Sequence, residues 1–263
     1  MNSAVDTLLK KMNRCYIPLV CWQDKFIEPD AHSAHYLVNV LRLKKGDKLV
    51  VFNGIGREVV GEISSITHNP HGLRIAILHE IAASVNETQI DFTLLQAVPK
   101  GNKMDWIVEK TVELGVTTII PLITERGIVR FEEKKAADNK VKRWQRIAES
   151  AARQCGCSIV PQVKPVSVLQ DALHAVNGVD FFAVGSLASE ARLLMDVMAK
   201  KRSIKSMALL IGPEGDLTFA EYDSALKAGA IPVTFGRRVL RVETAAICGI
   251  AVMMFCASGG KYL

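Results

Sequence analysis

Two short stretches near the end of the chain hold the residues best suited to chemistry. The first is the loop Gly212-Pro-Glu-Gly215, whose glycines allow close backbone approach to a ligand and whose proline stiffens the turn. Its bare amides and carbonyls suit an adenine edge, a ribose or a carboxylate, although a simple tight turn has the same pattern. The second is Leu240-Arg-Val-Glu-Thr-Ala245, at the start of an apolar helix. There Glu243 suits either a helix cap or a catalytic carboxylate.

Strand-to-loop junctions must position both stretches. The apolar runs Met207–Ile211 and Ile231–Phe235 each end at a glycine, which is typical of buried strands. Thr218, with Glu221 three residues later, is a capping-box pattern and predicts a helix that ends at Gly229. The two strands are therefore separated by a single helix.

A third strand is predicted at Phe181–Val184, followed by a helix that runs to about Ala199. Open α/β sheets bind ligands at the carboxyl edge of their strands. The three strand ends therefore predict one shared crevice, at Gly185, Gly212 and Gly236.

The first part of the chain has a different character. A helix-like patch from Asp30 to Leu41 is followed by the apolar runs Lys48–Phe52 and Arg57–Ile63, joined by a turn at Asn53-Gly54. This pattern predicts a hairpin, and Leu73–His79 predicts a further strand. Together these elements indicate a small β-rich module, barrel-like if it closes.

The character changes near residue 85, where the polar segment Ser84–Gln89 is interpreted as a linker. Beyond it strands and helices alternate, as in an α/β layer structure. Asp91–Val98 and Val116–Ile123 are predicted strands, and the apolar spacing from Met104 to Leu114 predicts a helix ended by Gly115. A polar, charged segment, Thr124 to Lys140, follows.

An amphipathic helix is then predicted from Val141 to Cys155. Its other faces carry Lys140, Lys142, Arg143, Arg146 and Arg153. A solvated helix face and a phosphate-contacting helix both fit this charge run.

Composition is that of an ordinary globular chain of one or two domains, with 263 residues, 49% hydrophobic and 23% charged. No apolar run reaches spanning length, and Met1 to Lys11 resembles no signal peptide. The six cysteines include no CxxC pair, so reduced thiols in a cytoplasm are expected. A net charge of +6 permits a polyanionic partner.

No metal site is expected. Histidines stand three apart at His32/His35 and His68/His71, without the cysteine spacing that would support zinc. The chain also lacks a GxxxxGK[ST] loop, an HExxH helix and a GxSxG elbow.

Several blocks of sequence are similar, in chain order, to one known family. In the second half they are Lys100-Gly101 with Lys110, Glu113-Leu-Gly115, Arg153-Gln154, Ile211-Gly-Pro-Glu-Gly215 and Leu240-Arg-Val-Glu-Thr-Ala245. Near the start they are Arg14-Cys-Tyr16, His35 through Arg42, and Lys45-Gly-Asp47. Together they resemble the bacterial 16S ribosomal RNA uridine N3-methyltransferases (RsmE type), S-adenosylmethionine enzymes of the SPOUT superfamily.

The resemblance implies an N-terminal β-rich PUA-like barrel that helps grip RNA, expected at residues 1–85. It implies a SPOUT-type trefoil-knotted α/β methyltransferase domain at residues 86–263, and a homodimer. The partner would be 16S ribosomal RNA or the assembled small subunit. Neither a membrane nor a metal enters this expectation.

S-adenosylmethionine is the cofactor that the resemblance implies. Its expected site is built from Gly185, Ile211, Gly212, Pro213, Glu214, Gly215, Phe235, Gly236, Val239, Leu240, Arg241, Thr244 and Ala245. Arg241 is expected to stabilise a uridine anion, and Glu243 to act as a base or to orient that arginine. The expected RNA-binding residues are Arg14, Arg42, Lys100, Lys103 and Arg153.

Two positions depart from the family pattern. Asp216 stands where a third glycine is common, and Cys157 where an arginine is usual. Two alternatives stay open: a ribose 2′-O-methyltransferase and a non-catalytic RNA-binding paralogue on the same fold.

Overall fold

Two sheets organise the chain in a computed structural model, which describes Leu9 and residues 12–66, 72–81, 90–131, 133–200 and 203–259. The chain divides into two compact units. One comprises Met1–Glu87 with Ala152–Val160, and the other Thr88–Ala151 with Pro161–Leu263.

The first unit is built on a five-stranded sheet in the order β1-β3-β4-β5-β2. The strands are β1 (Arg14–Tyr16), β2 (Phe26–Ile27), β3 (Lys48–Phe52), β4 (Glu58–Ile66) and β5 (Leu73–Ile81). Helix α1 (Ala31–His35) continues into a π-helical turn at Tyr36–Val40. The side chain of Asp30 caps α1 by accepting a hydrogen bond of 2.7 Å from the Ser33 amide.

The predicted hairpin is confirmed. β3 and β4 pair antiparallel, and Asn53 Oδ1 closes the turn by accepting from the Ile55 and Arg57 amides at 3.0 and 3.1 Å. Alternate residues of these strands point inward, where Leu49, Val51 and Val59 are fully buried in one apolar cluster.

Three arginines of this unit each lie against an aromatic ring and a carboxylate. Arg14 stacks over Phe52 and pairs with Glu58. The other two sets are Arg57 with Trp22 and Glu80, and Arg74 with Phe26 and Glu28. One face and one edge of each of these guanidinium groups are thereby engaged by the protein itself.

The second unit alternates strands and helices, as predicted. Its strands are β6 (Asp91–Ala97), β7 (Thr118–Ile123), β8 (Gln162–Val163), β9 (Ser167–Val168), β10 (Phe181–Gly185), β11 (Arg192–Leu193), β12 (Ser206–Ile211) and β13 (Ile231–Thr234). Its helices are α2 (Lys103–Glu113), α3 (Lys134–Cys155), α4 (Leu169–Ala175), α5 (Leu194–Met198), α6 (Phe219–Lys227) and α7 (Val242–Ala257).

All pairings between these strands are parallel, in the order β11-β13-β10-β12-β6-β7-β8, with β9 also on β7. Helices cover both faces, as a parallel sheet requires. On one face α4 and α6 pack over Ala208 and Leu210. On the other, α7 packs against α2, α5 and β12.

Helix α7 approaches the sheet at a glycine. A Cβ on Gly249 would lie 2.7 Å from Leu209 Cδ2 and 3.0 Å from Phe235 Cε1. A Cβ on Gly185 would lie 3.3 Å from Cε2 of the same ring. The Phe235 ring is therefore wedged between two positions where the absence of a side chain sets the packing distance.

Two element boundaries differ from the sequence prediction. α3 begins at Lys134 and not at Val141, because its first two turns are exposed and lack the apolar spacing that the prediction used. The helix expected to run to about Ala199 is only α5 (Leu194–Met198), preceded by the short strand β11.

Some predictions fall outside the described residues. They concern His68, His71, the linker Ser84–Gln89 and most of Met1 to Lys11. The domain boundary at residues 85 and 86 lies there too and stays a prediction.

Gly249→Ala tests the packing of α7. Helix propensity alone favours alanine by about 1 kcal/mol. We expect a net loss of up to about 2 kcal/mol in the free energy of unfolding, because Leu209 and Phe235 have little room to move and overpacking costs about 1–3 kcal/mol. Urea denaturation measures the change. A variant more stable than the parent would contradict this account of the contact.

Candidate active site

A cavity of about 360 Å³ opens where three neighbouring parallel strands end. β12, β10 and β13 deliver their carboxyl ends to one edge because β10 pairs in register with both of the others. The lining residues come from these ends, from the start of α2 and from the start of α7. They are Lys103, Gly185, Ser186, Leu187, Ile211, Gly212, Pro213, Glu214, Asp216, Thr234, Phe235, Arg238, Val239, Leu240, Arg241, Val242 and Ala245.

The loop after β12 is held in a fixed shape. Asp216 has a φ of +62°, a left-handed conformation that aspartate tolerates better than most residues. Its Oδ1 accepts from the Leu217 amide at 2.8 Å. The next helix, α6, then begins with the predicted capping box between Thr218 and Glu221. From outside, Arg126 donates to the carbonyls of Gly215 and Leu217 at 3.4 and 3.3 Å.

Helix α7 begins at the cavity. Arg241 is its N-cap residue, with extended backbone, and both Arg241 and Arg238 are exposed at the lining. Within the described residues, neither forms an ion pair. The cavity thus presents two arginines at the amino end of a helix, where an anion is favoured.

A lysine bridges the two sides of the cavity. Lys103 Nζ lies 3.1 Å from Glu214 Oε1 and 3.5 Å from Glu243 Oε2. The second distance is long for a strong hydrogen bond, and Glu243 Oε2 is buried with no hydrogen-bond partner in the described part of the chain. One cation therefore links the β12 loop to the first turn of α7 and leaves one carboxylate oxygen only partly satisfied.

The contact between Lys103 and Glu214 shifts the pKa of both groups. The hydrogen bond to Glu214 raises the pKa of Lys103. Burial raises the pKa of Glu214, but hydrogen bonds from its own amide, from Lys103 and from the Lys100 amide outweigh burial and lower it overall. The stability that a lowered carboxyl pKa contributes is present above the pKa of the unfolded state, and it is lost as the pH falls through the folded-state pKa. The stability that a raised lysine pKa contributes is lost as the pH rises. The pair of Lys103 and Glu214 is therefore intact across neutral pH.

Most of the predicted cofactor residues converge on the cavity. The lining includes Gly185, Ile211, Gly212, Pro213, Glu214, Phe235, Val239, Leu240, Arg241 and Ala245. The exceptions are Gly215, Gly236 and Thr244. Gly215 faces Arg126, since a Cβ there would lie 3.3 Å from Arg126 Cβ, and Thr244 lies on an exposed side of α7, between the lining residues Val242 and Ala245. Gly236 is exposed, one residue beyond Phe235.

Glu243 is predicted to act as a base or to orient Arg241, but no ion pair joins these two side chains in the described residues. The charged neighbour of Glu243 is Lys103, which sequence spacing alone cannot place there because 140 positions separate them. The prediction also missed Ser186, Leu187, Asp216, Thr234, Arg238 and Val242. Each lies within two positions of a predicted residue, so extending each predicted loop by a residue or two finds them.

The predicted RNA-binding residues divide between the two units. In the first, Arg14 is mostly buried against Glu58 and Phe52, which favours a structural role. Arg42 is exposed with a φ of +56°, and Arg153 lies 4.6 Å from the Tyr36 ring centroid. In the second, Lys103 forms the bridge, and Lys100 is exposed beside it in sequence. RNA contact stays a prediction for all five.

Two family models match the chain. An RNA methyltransferase domain matches residues 86–254, and an RNA methyltransferase PUA domain matches residues 29–70. A ribosomal RNA small subunit methyltransferase E from Buchnera aphidicola (Schizaphis graminum) is 32% identical over 93% of this chain and 96% of its own length. The chain belongs to the ribosomal RNA small subunit methyltransferase E family. It is a methyltransferase of the SPOUT type with an N-terminal PUA-like module.

Solved structures agree with this family. The methyltransferase E of Neisseria gonorrhoeae, bound to S-adenosyl methionine, superposes with a TM-score of 0.80 at 32% identity, covering 94% of this chain and 98% of that one. The putative methyltransferase Lpg2936 of Legionella pneumophila, in complex with SAM, gives 0.83 at 27% identity over 94% and 98%. Membership of this family does not favour the two alternatives from the sequence, a ribose 2′-O-methyltransferase and a non-catalytic paralogue.

Two features are absent from the residues that the structure describes. They contain no group of three or more His, Cys, Asp and Glu side chains that could hold a metal ion. Separately, none of the described helices is long and apolar enough to span a bilayer. None of the six cysteines, all of which the structure describes, is in a disulfide, and burial raises the pKa of the Cys15 thiol to about 12.

Replacing Lys103 by methionine tests the bridge. We expect the pKa of Glu214 to rise, because burial would act with one fewer hydrogen bond opposing it. NMR titration of the labelled carboxyl measures this change. Lys103→Arg should restore most of the lowering, and Lys227→Met, which removes a lysine paired with Asp223 on α6, should leave Glu214 unchanged. An unchanged pKa in Lys103→Met would show that the bridge does not control this carboxyl.

Proposed function

We propose that the chain transfers a methyl group from S-adenosylmethionine to N3 of a uridine in 16S ribosomal RNA. The observation that carries the proposal is the single cavity that gathers the ends of β10, β12 and β13 with the start of α7, in a member of the methyltransferase E family.

The cavity fits S-adenosylmethionine in size and in chemistry. Its volume, about 360 Å³, lies within the range of small-molecule sites. Ile211, Phe235, Val239 and Leu240 offer apolar surface for an adenine, and the Gly212-Pro213 backbone offers polar groups for its edge. Glu214 and Asp216 add carboxylates that suit the ammonium and sulfonium cations of the donor.

When bound, S-adenosylmethionine supplies an activated methyl group on a sulfonium. The remaining work is alignment and removal of the N3 proton, since a uridine nitrogen that keeps its proton is a poor nucleophile. Glu243, with one buried oxygen only partly satisfied, is the proposed acceptor of that proton. Arg241 is the proposed stabiliser of the uridine anion, because it lines the cavity and forms no ion pair in the described chain.

Lys103 has a proposed part in the same step. Its ammonium lies between the carboxylates of Glu214 and Glu243, 3.1 Å from the first and 3.5 Å from the second, and so holds the proposed proton acceptor at the edge of the cavity. Within the lining, Gly185, Pro213 and Ala245 contribute shape without adding charge.

The RNA-contacting part of the proposal rests on two regions. We assign residues 1–85 to a PUA-like module that grips RNA and residues 86–263 to the methyltransferase domain. Arg42 and Lys100 are exposed cations suited to phosphate contact, with Arg14, Lys103 and Arg153 as the further candidates. A base within folded RNA would have to leave its stack to reach the cavity.

The resemblance to the family supports three further proposals. They are a trefoil knot in the methyltransferase domain, a homodimer that completes each cleft, and a cytoplasmic site of action on ribosomal RNA or the assembled small subunit. Exposed apolar side chains beside the cavity, Leu187 and Val239, are consistent with a surface that a second copy covers.

The test is nucleoside analysis of small ribosomal subunits isolated without this methylation. Incubated with the protein and S-adenosylmethionine, they should gain N3-methyluridine. A 2′-O-methylated nucleoside would replace the proposal by ribose methylation. Absence of transfer, with calorimetry showing no donor uptake, would reduce the protein to an RNA-binding module.

Arg241→Ala should keep donor binding within a few-fold and lower kcat by about 10²–10³, the usual effect of losing one group that stabilises a developing anion. Calorimetry measures the first quantity and methyl transfer the second. Arg237→Ala is the matched control, since Arg237 is exposed four residues earlier and lies outside the cavity lining. Full turnover in Arg241→Ala would remove the proposed role.

A further inference from the structure

Helix α3 carries a concentration of positive charge that the proposed methyl transfer does not use. Between Lys134 and Cys155 it has seven Lys and Arg residues against two Asp and Glu, a net charge of +5 in a chain whose total is +6. Outside this one helix, the chain is therefore close to neutral. Such a concentration acts on a polyanion at a distance, whereas the same charges scattered over the surface would not.

Three of these cations form a line. Lys135, Lys142 and Arg146 are spaced at i, i+7 and i+11, which places them within about 20° of one line along a helix of 3.6 residues per turn. All three are exposed. We call these three residues the α3 stripe, and at 1.5 Å per residue it is about 16 Å long. The stripe lies within the second unit.

The opposite side of the helix faces the core, so the stripe must face solvent. Trp144, Ala148 and Ala151 are 2%, 0% and 4% exposed. The two carboxylates of the helix, Asp138 and Glu149, fall on one flank of the stripe and not between its members. The lysines and the arginine can therefore meet a partner without moving an acidic side chain.

Among the residues that the structure describes, the α3 stripe has no ion-pair partner. In the described residues, none of the three forms an ion pair, whereas Arg143 on the same helix pairs with Asp105 at 2.5 Å. In the first unit, by contrast, Arg57 and Arg74 each form an ion pair with a glutamate. Cations left unpaired in a line are available for phosphates.

We propose that the α3 stripe binds the phosphate backbone of the RNA substrate. This inference rests on the proposed function, and it adds a contact surface outside the cavity. Backbone contacts of this kind position a nucleic acid and carry no sequence information. They release condensed counterions, so each contact steepens the dependence of affinity on salt.

RNA fits the stripe better than a membrane does. A helix that lies on a bilayer inserts an apolar face beside its cations. The exposed large apolar side chains of the described chain include none from α3, whose buried residues are Trp144, Ala148, Ala151 and Ala152. The stripe has charge without an apolar anchor, which is the character of a phosphate-binding surface.

The test is a variant that removes the three charges, Lys135→Gln with Lys142→Gln and Arg146→Gln, made in the full chain. The matched control is Lys200→Gln with Lys205→Gln and Lys227→Gln, which removes the same charge from other exposed positions of the second unit. Affinity for unmethylated 16S RNA is measured over a series of salt concentrations. S-adenosylmethionine binding by calorimetry reports on the fold of the cavity.

We expect the stripe variant to bind RNA at least tenfold more weakly at low salt than the control. Its plot of log affinity against log salt should be shallower by about 2, from a contribution near 0.7 per contact with a single strand. Methyl transfer should show a raised KM for RNA with kcat nearly unchanged. Donor binding should be the same in all three proteins.

Equal affinity and equal slope in the two variants would overturn the proposal. The same holds if the stripe variant keeps its RNA affinity but loses binding to an acidic protein, since the partner would then be of another class. Failure of the proposed function would give a different result from failure of this inference. In that case the unaltered protein transfers no methyl group, while the salt dependence of its RNA binding can still be measured.

Discussion

The parallel pairing of β10 with both β12 and β13 is the constraint on which the site depends. Val184 is level with Leu210 on one side and with Pro232 on the other, so the three strands end together. Loops that are far apart in the sequence then share one edge. A shift of one residue in either pairing would turn the alternating side chains to the opposite faces and misplace Gly185 relative to Ile211. The backbone hydrogen bonds of the sheet therefore define the cavity before any side chain does.

Packing behind the cavity is set by the Phe235 ring. Gly185 and Gly249 approach this ring from two elements, and neither has space for a methyl group at its present distance. The ring is also part of the lining, so the core and the site share one wall. Interiors this dense pass small shifts on to their neighbours and do not absorb them. The shape of the cavity therefore depends on residues that contact no ligand.

Much of this architecture could be predicted from local pattern. The capping box at Thr218, the hairpin turn at Asn53 and the alternation of strands and helices are short-range signals, and the structure has all of them. The bridge from Lys103 to Glu214 and Glu243 could not be predicted, because it depends on how helices pack across the sheet. The early start of α3 was missed for another reason: exposed turns of Lys, Ala and Asp carry no apolar period to detect.

The left-handed backbone at Asp216 limits which residues fit this position. A left-handed backbone costs most side chains roughly 1–2 kcal/mol, while glycine, asparagine and aspartate adopt it readily. Glycine, asparagine and aspartate therefore fit this position with the same loop geometry, and they differ in charge. Because the side chain lines the cavity, a lineage can change the electrostatic potential felt by a bound cation without reshaping the loop. At this position the charge of the cavity lining can therefore change while the shape of the loop stays the same.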